Sequence, residues 1–117
     1  MAPKRGDRVA PPAGRGEWDL RFATGEAAKG WESLCQQAAG NTAVAWNELR
    51  NRPAAPIQTS RHHQLKGRLA YADHRGAQME QWQYEVTGAG RIWYLVDIAN
   101  HTLWLRYASP GHPNSTQ

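Results

Sequence analysis

From Met79 to Tyr107 the chain repeats one arrangement three times: an apolar run the length of a strand, closed off by residues that turn. Met79 to Val86 alternates strictly, with Trp82, Tyr84 and Val86 on one side and Gln81, Gln83 and Glu85 on the other. Successive side chains on a strand point to opposite faces, so this pattern predicts one core face and one wet face. Thr87-Gly-Ala-Gly90 turns into Arg91-Ile-Trp-Tyr-Leu-Val-Asp97, Ala99-Asn-His101 turns again, and Thr102 to Tyr107 closes a three-strand meander. The apolar face of such a meander has to be covered by another layer.

The cover lies upstream. Trp18-Asp-Leu-Arg-Phe22 alternates with period two and predicts a first strand with one face buried. From Glu26 to Ala39 the residues Ala27, Trp31, Leu34, Cys35 and Ala38 fall on one helical stripe. Gly40 suits the end of that helix, and Asn41 or Thr42 can cap a second one. The second helix carries Ala45, Trp46 and Leu49 inward and is stopped by Pro53, while Pro56 helps keep 53–60 a loop. Leu65 to Tyr71 reads as a short strand and His74-Arg-Gly76 as a turn. One strand, two helices and then several strands predict an α+β domain: an N-terminal strand, a helical hairpin, then a mostly antiparallel sheet with the helices on one face. The second face is left for a partner.

At 117 residues the chain suffices for one core, taken here as residues 17–113. The first sixteen residues hold four basic side chains among Pro, Gly and Ala, with Val9 the only branched apolar one, and are expected to be a disordered basic tail. Residues 114–117 form a short polar end. Lys plus Arg is 14 against 10 for Asp plus Glu, a net charge of +4 that favours acidic partners such as nucleic acid or an acidic protein. A single cysteine, Cys35, leaves no internal disulfide and suits a reducing, cytoplasmic home. Ile92 to Val96 is the longest uninterrupted apolar run, far short of the roughly 20 residues that cross a membrane. No membrane partner, signal peptide, internal repeat or cofactor is expected. His62 and His63, being adjacent, would face opposite ways on a strand and could not readily share a metal.

In order and spacing, the first strand, the hairpin ending in Leu49-Arg-Asn-Arg-Pro53, and Leu65-Lys-Gly67 make up the first half of a pattern. Its second half is Trp82-Gln-Tyr-Glu-Val86, Arg91-Ile-Trp-Tyr-Leu-Val96 and a last strand delivering Gly111-His112. From about Trp18 to Pro113 the pattern resembles the RelE/ParE superfamily of toxins from type II toxin–antitoxin systems. The resemblance implies a cognate antitoxin bound in a hetero-oligomer. In the RelE branch it implies a ribosome-dependent, metal-independent endoribonuclease acting on mRNA; in the ParE branch, a DNA gyrase inhibitor. A non-toxic RNA- or protein-binding relative is the third expectation.

Metal-free RNA cleavage deprotonates a ribose 2′-OH, builds a dianionic phosphorane and protonates the leaving 5′-oxygen. Arginine suits the cation, since it stays charged and offers phosphate a planar fork. Histidine titrates nearest neutrality and can move the proton. Arg91 and His112 fill these roles; the resemblance adds that they match the family's strand arginine and the place near its C-terminal catalytic residue, and implies Glu85 as the candidate base, since some interferases of the family use a glutamate. The same residues equally fit a solvated strand end, a turn histidine and a wet face. Gln83 and Glu85 stand where RelE has basic residues, and the polar end after His112 lacks the family's later Arg or Tyr, which weakens phosphate contact there.

Further RNA contacts are expected from the basic cluster Arg50, Arg52, Arg61, Lys66 and Arg68, and from Gln83, Trp104 and Arg106. Trp31, Trp46, Trp82 and Trp93 fit the core. Trp104, alternating with Arg106 and away from Leu103 and Leu105, is the exposed ring on which a base could stack or beside which an antitoxin peptide could lie.

Overall fold

The computed structural model describes residues 3–9 and 12–111. Strand β1 (Asp19–Phe22) is followed by helices α1 (Gly25–Gln37) and α2 (Ala39–Asn51). Five more strands follow: β2 (His62–Gln64), β3 (Tyr71–His74), β4 (Ala77–Glu85), β5 (Arg91–Asp97) and β6 (Thr102–Ser109). They form one sheet in the order β1-β6-β5-β4-β2, with β3 also paired to β4. β1 runs parallel to β6, and every other pairing is antiparallel. Both helices lie on one face of the sheet, giving the expected α+β fold. Among the described residues no helix is long and apolar enough to cross a membrane.

Leu20 and Phe22 of β1, Trp82 of β4, Ile92 and Tyr94 of β5, and Leu103 and Leu105 of β6 meet Ala27, Trp31, Leu34, Ala45 and Leu49 of the helices in one core. α1 starts where Thr24 accepts a hydrogen bond from the Ala27 amide at 2.9 Å, a side-chain cap that also ties the helix to β6 through the Arg106 carbonyl. Its buried stripe runs through Ala27, Ala28, Trp31 and Leu34, so Cys35, expected inside, is exposed. The helices join at Ala38 without a loop. Gly40, Asn41 and Thr42 therefore sit inside α2 and cap nothing. The Thr42 hydroxyl instead donates to the Leu34 carbonyl at 3.1 Å, and the Asn41 amide to the Val86 carbonyl at 3.1 Å. Each satisfies a carbonyl outside its own helix.

The strand expected over Leu65 to Tyr71 is displaced to either side of that segment. Leu65 donates to the Gln81 carbonyl at 2.9 Å and Gln81 donates back to Ala70 at 2.8 Å, so β2 and β3 act as one edge strand from which 66–69 loops out. Gly67 takes a left-handed φ of 62° there, and the Gln81 side chain donates to the Leu69 carbonyl at 2.9 Å. Sequence periodicity cannot show this excursion, because the segment's own residues could continue a strand.

The expected disordered tail is also corrected over its described part. Gly6 and Val9 donate to the carbonyls of Phe22 and Leu20, Phe22 donates to Asp7, and Val9 is buried. The segment lies antiparallel along the outer edge of β1 and covers backbone groups that an open edge would expose. Residues 1, 2, 10 and 11 of that tail, His112 and the polar end 114–117 lie outside the described residues.

Gly30 is the most tightly packed of the glycines. A β-carbon there would stand 1.7 Å from the Ala108 carbonyl oxygen, because α1 lies directly against the β6 backbone. In an open helix Gly→Ala stabilises by about 1 kcal/mol. Gly30→Ala should do the opposite, lowering stability by at least about 2 kcal/mol in urea titrations. An unchanged or raised midpoint would show that the helix can lift off β6 without cost.

Candidate nucleic-acid interface

The sheet face away from the helices divides into two ends. At one, β4, β5 and β6 present Glu85 and Gln83, Arg91 and Trp93, and Tyr107 and Ser109. The register sets Glu85 opposite Arg91, Gln83 opposite Trp93, and Trp93 opposite Tyr107. These side chains share one face because residues i and i+2 of a strand do.

Arg91 is fixed by the turn that precedes it. Thr87 accepts from the amides of Ala89 and Gly90, at 3.3 and 2.7 Å, closing the turn on its own side chain. Arg91 Nη1 then donates to the carbonyls of Thr87, Gly88 and Gly90 at 3.1 to 3.2 Å. The same nitrogen stands 3.8 Å from a Glu85 carboxylate oxygen. Carbonyls orient the guanidinium without cancelling its charge, and the remaining N–H groups stay available to an incoming acceptor. Beside it the Trp93 indole donates to Gln83 at 2.8 Å, and its ring lies 5.4 Å from that of Tyr107. Tyr107 is 42% exposed. A rigid cation, a carboxylate and an edge of two aromatic rings thus adjoin one another.

The structure reverses two tryptophans. Trp93, expected in the core, is only half-buried on the open face, whereas Trp104, expected exposed, is 6% exposed. Trp104 donates to Asp97 at 3.1 Å and is covered by His74, with ring centres 4.4 Å apart, and by the Arg75 guanidinium at 4.8 Å. The cover comes from the β3–β4 hairpin, whose tip runs past the end of β5 and folds over the sheet. A register shift between Trp93 and Tyr94 opposite β6 brings Tyr107 onto the open face. The aromatic pair that the sequence reading missed is thus made by an irregularity with no local signature.

Of the other expected contacts, Gln83 is present but spends its carbonyl oxygen on Trp93. Arg61 is exposed and its carbonyl accepts from the Glu85 amide at 2.7 Å, which brings it alongside the site. Lys66 and Arg68 are exposed on the looped-out 66–69 segment, and Arg106 is exposed on β6 near the other end. Arg50 is corrected: it is buried, pairs with Glu17, donates to the Pro12 carbonyl and lies 3.9 Å over Trp46. It belongs to the structure of the hairpin.

Behind the site, between α2 and the β2–β4 edge, is a cleft of about 410 Å³ lined by Val44, Glu48, Ile57, Arg61, His62 and Glu85 among others. His62 Nε2 lies 2.6 Å from the Tyr94 hydroxyl and 3.1 Å from the Pro53 carbonyl, to which Tyr94 also donates. The carbonyl can only accept, so Nε2 carries the hydrogen. Burial holds the His62 pKa below its usual 6.5, outweighing the Pro53 carbonyl and Glu48, which act the other way. His63 turns to the opposite side and meets the Thr59 carbonyl.

No protein-family model, curated protein or solved structure matches the chain.

The His62 geometry sets a pH dependence. With the folded pKa below the unfolded one, the unfolded state binds more protons, so stability is full above about pH 6.5 and falls as pH drops through the interval between the two values. His74, also lowered by burial first, acts in the same sense. His62→Gln should flatten the decline in denaturation midpoint below pH 6.5 without abolishing it. An identical slope in the variant would show that His62 does not titrate on unfolding.

Proposed function

We propose that the chain is a toxin of RelE/ParE type that cuts mRNA on the ribosome, the partner of a small acidic antitoxin in a cytoplasmic hetero-oligomer. The observation that supports this is the Arg91 guanidinium, held 3.8 Å from Glu85 on an open sheet face beside Trp93 and Tyr107. In this reading Glu85 takes the proton from the 2′-OH, and Arg91 meets the charge that grows on the phosphorane. The aromatic edge of Trp93 and Tyr107 supports a neighbouring base. His112 supplies the proton to the 5′-oxygen, a role that rests on its sequence position and chemistry. Because the Arg91 end of the face has few basic residues, the ribosome has to bring the substrate to it. A net charge of +4 favours an antitoxin of opposite sign.

A ParE-like reading, in which the protein binds gyrase and performs no chemistry, is favoured by one observation. Three carbonyls already occupy Arg91 Nη1, as they would for an arginine whose task is to hold the turn.

The test is a cell-free translation reaction with a defined mRNA, mapped by primer extension. It compares the wild-type chain with Glu85→Gln, Arg91→Ala and His112→Ala, each first shown to be folded by circular dichroism. New 5′ ends are expected only with ribosomes and wild-type protein, and Glu85→Gln should slow their appearance by about 10² or more. Intact mRNA in every lane would sink the endoribonuclease reading. Gyrase supercoiling inhibited equally by the wild-type and Arg91→Ala proteins would then favour the second one.

A further inference from the structure

At the other end of the open face the hairpin tip, the N-terminal segment and β6 enclose a cavity of about 530 Å³. Arg5, His74, Arg75 and Trp104 line it, with Phe22 and Ala23 beneath. The Arg75 guanidinium lies over the Trp104 ring, and His74 packs against that ring. Arg106 is close enough that its charge is felt at His74. None of Arg5, Arg75 and Arg106 takes part in an ion pair among the described residues. Asp97, the acid nearest the indole, is buried and already accepts from Trp104 and from both the backbone and side-chain amides of Asn100. Its charge is felt at His74 from beneath the indole, so one buried carboxylate stands against three arginines that form no ion pair among the described residues.

One further feature needs a reason. Arg75 sits at φ 54° and Gly76 at φ 84°, the left-handed pair of a tight hairpin turn. Asn, Asp or Gly take the first of these positions with less strain, so an arginine there keeps a cation at a conformational cost.

We propose that this cavity binds a phosphate group of single-stranded RNA, between Arg5, His74 and Arg75 and above Trp104. Guanidinium groups match phosphate oxygens as planar forks, and Arg5 and Arg75 supply two of them at the wall of the cavity. RNA is favoured over a free anion because the cavity and the Arg91 end share one face. Leu95, opposite Trp104, lies four residues along β5 from Arg91, roughly 13 Å at strand spacing. A strand passing Arg91 and Trp93 would therefore bring a later phosphate to Arg75. The proposal rests on the RNA-binding half of the function given above and not on cleavage.

The experiment titrates the isotopically labelled full chain with a short oligouridylate at low salt. The Arg75 and Gly76 amides and the Trp104 indole report on the cavity, and the Arg91 and Trp93 amides on the other end. Arg75→Gly is the informative variant, since it removes the cation while relieving the left-handed strain and should fold at least as stably. Both groups of signals are expected to shift. In Arg75→Gly the affinity should fall about tenfold, and the slope of log affinity against log salt should shrink by about 0.7. Shifts confined to Arg91 and Trp93, or RNA affinity unchanged in Arg75→Gly, would overturn the proposal while leaving the RNA interface standing. Inorganic phosphate bound as tightly as the oligonucleotide would overturn it in favour of a small-anion site. Polyglutamate bound in its place would overturn it in favour of an acidic protein segment. Cavity shifts lost in Arg75→Gly would uphold it even if mRNA stayed intact in the translation assay.

Discussion

Strand β6 carries both layers of the molecule. It pairs with β1 on one side and β5 on the other, and α1 lies across it so closely that only glycine fits at position 30. That closeness sets the depth of the core. Leu103, Leu105 and Ala108 from below meet Ala27, Ala28 and Leu34 from above, and each of these side chains is buried. The small residues are as necessary as the large ones, since a bulkier stripe would lift the helix and leave Leu34 against a gap. The Thr24 hydroxyl bonded to Arg106 pins the helix start to the same strand. Because β6 also bears Trp104, Tyr107 and Ser109 on its other face, the packing that makes the core positions the open surface too.

The sequence was most readable where the pattern is local. The alternation of Trp82, Tyr84 and Val86, the Thr87–Gly90 turn and the stop at Pro53 all lie where expected, since each depends on residues close together in the chain. The misreadings share a cause as well. Trp104 is buried by His74 and Arg75, some thirty residues earlier, and Trp93 is half-exposed because none of the described residues crosses over that end of the sheet. Val9 is one apolar residue in a Pro- and Gly-rich stretch, and only the open edge of β1 gives it somewhere to go. Alternation tells which residues share a face. It cannot tell which parts of that face another segment will cover.

The same distinction applies to the candidate site. Glu85 and Arg91 flank one hairpin turn, so their pairing across β4 and β5 could be expected from chain order, and the structure brings them to 3.8 Å. Tyr107 joins them only because the β5–β6 register shifts at Trp93. Arg50 was indistinguishable in sequence from Arg52 and Arg61. Its burial follows from the Glu17 carboxylate, which returns to the end of α2 once β1 is in place. A buried guanidinium needs such a partner, so its charge is answered inside the fold and adds little to an external field.

The three carbonyls around Arg91 bear on both functional readings. An arginine on a flexible stem loses conformational entropy when it grips a phosphate, and that loss opposes binding. Here the loss is incurred during folding, because Thr87, Gly88 and Gly90 already hold Nη1. Carbonyl dipoles carry no net charge, so the guanidinium remains a full cation beside the turn, while Glu85 balances it only at the longer distance of 3.8 Å. Structural anchoring and the proposed catalytic preorganisation would thus be one geometry. What separates them is whether the remaining N–H groups meet a charge that exists only in the transition state, which is a question of rate and not of fold.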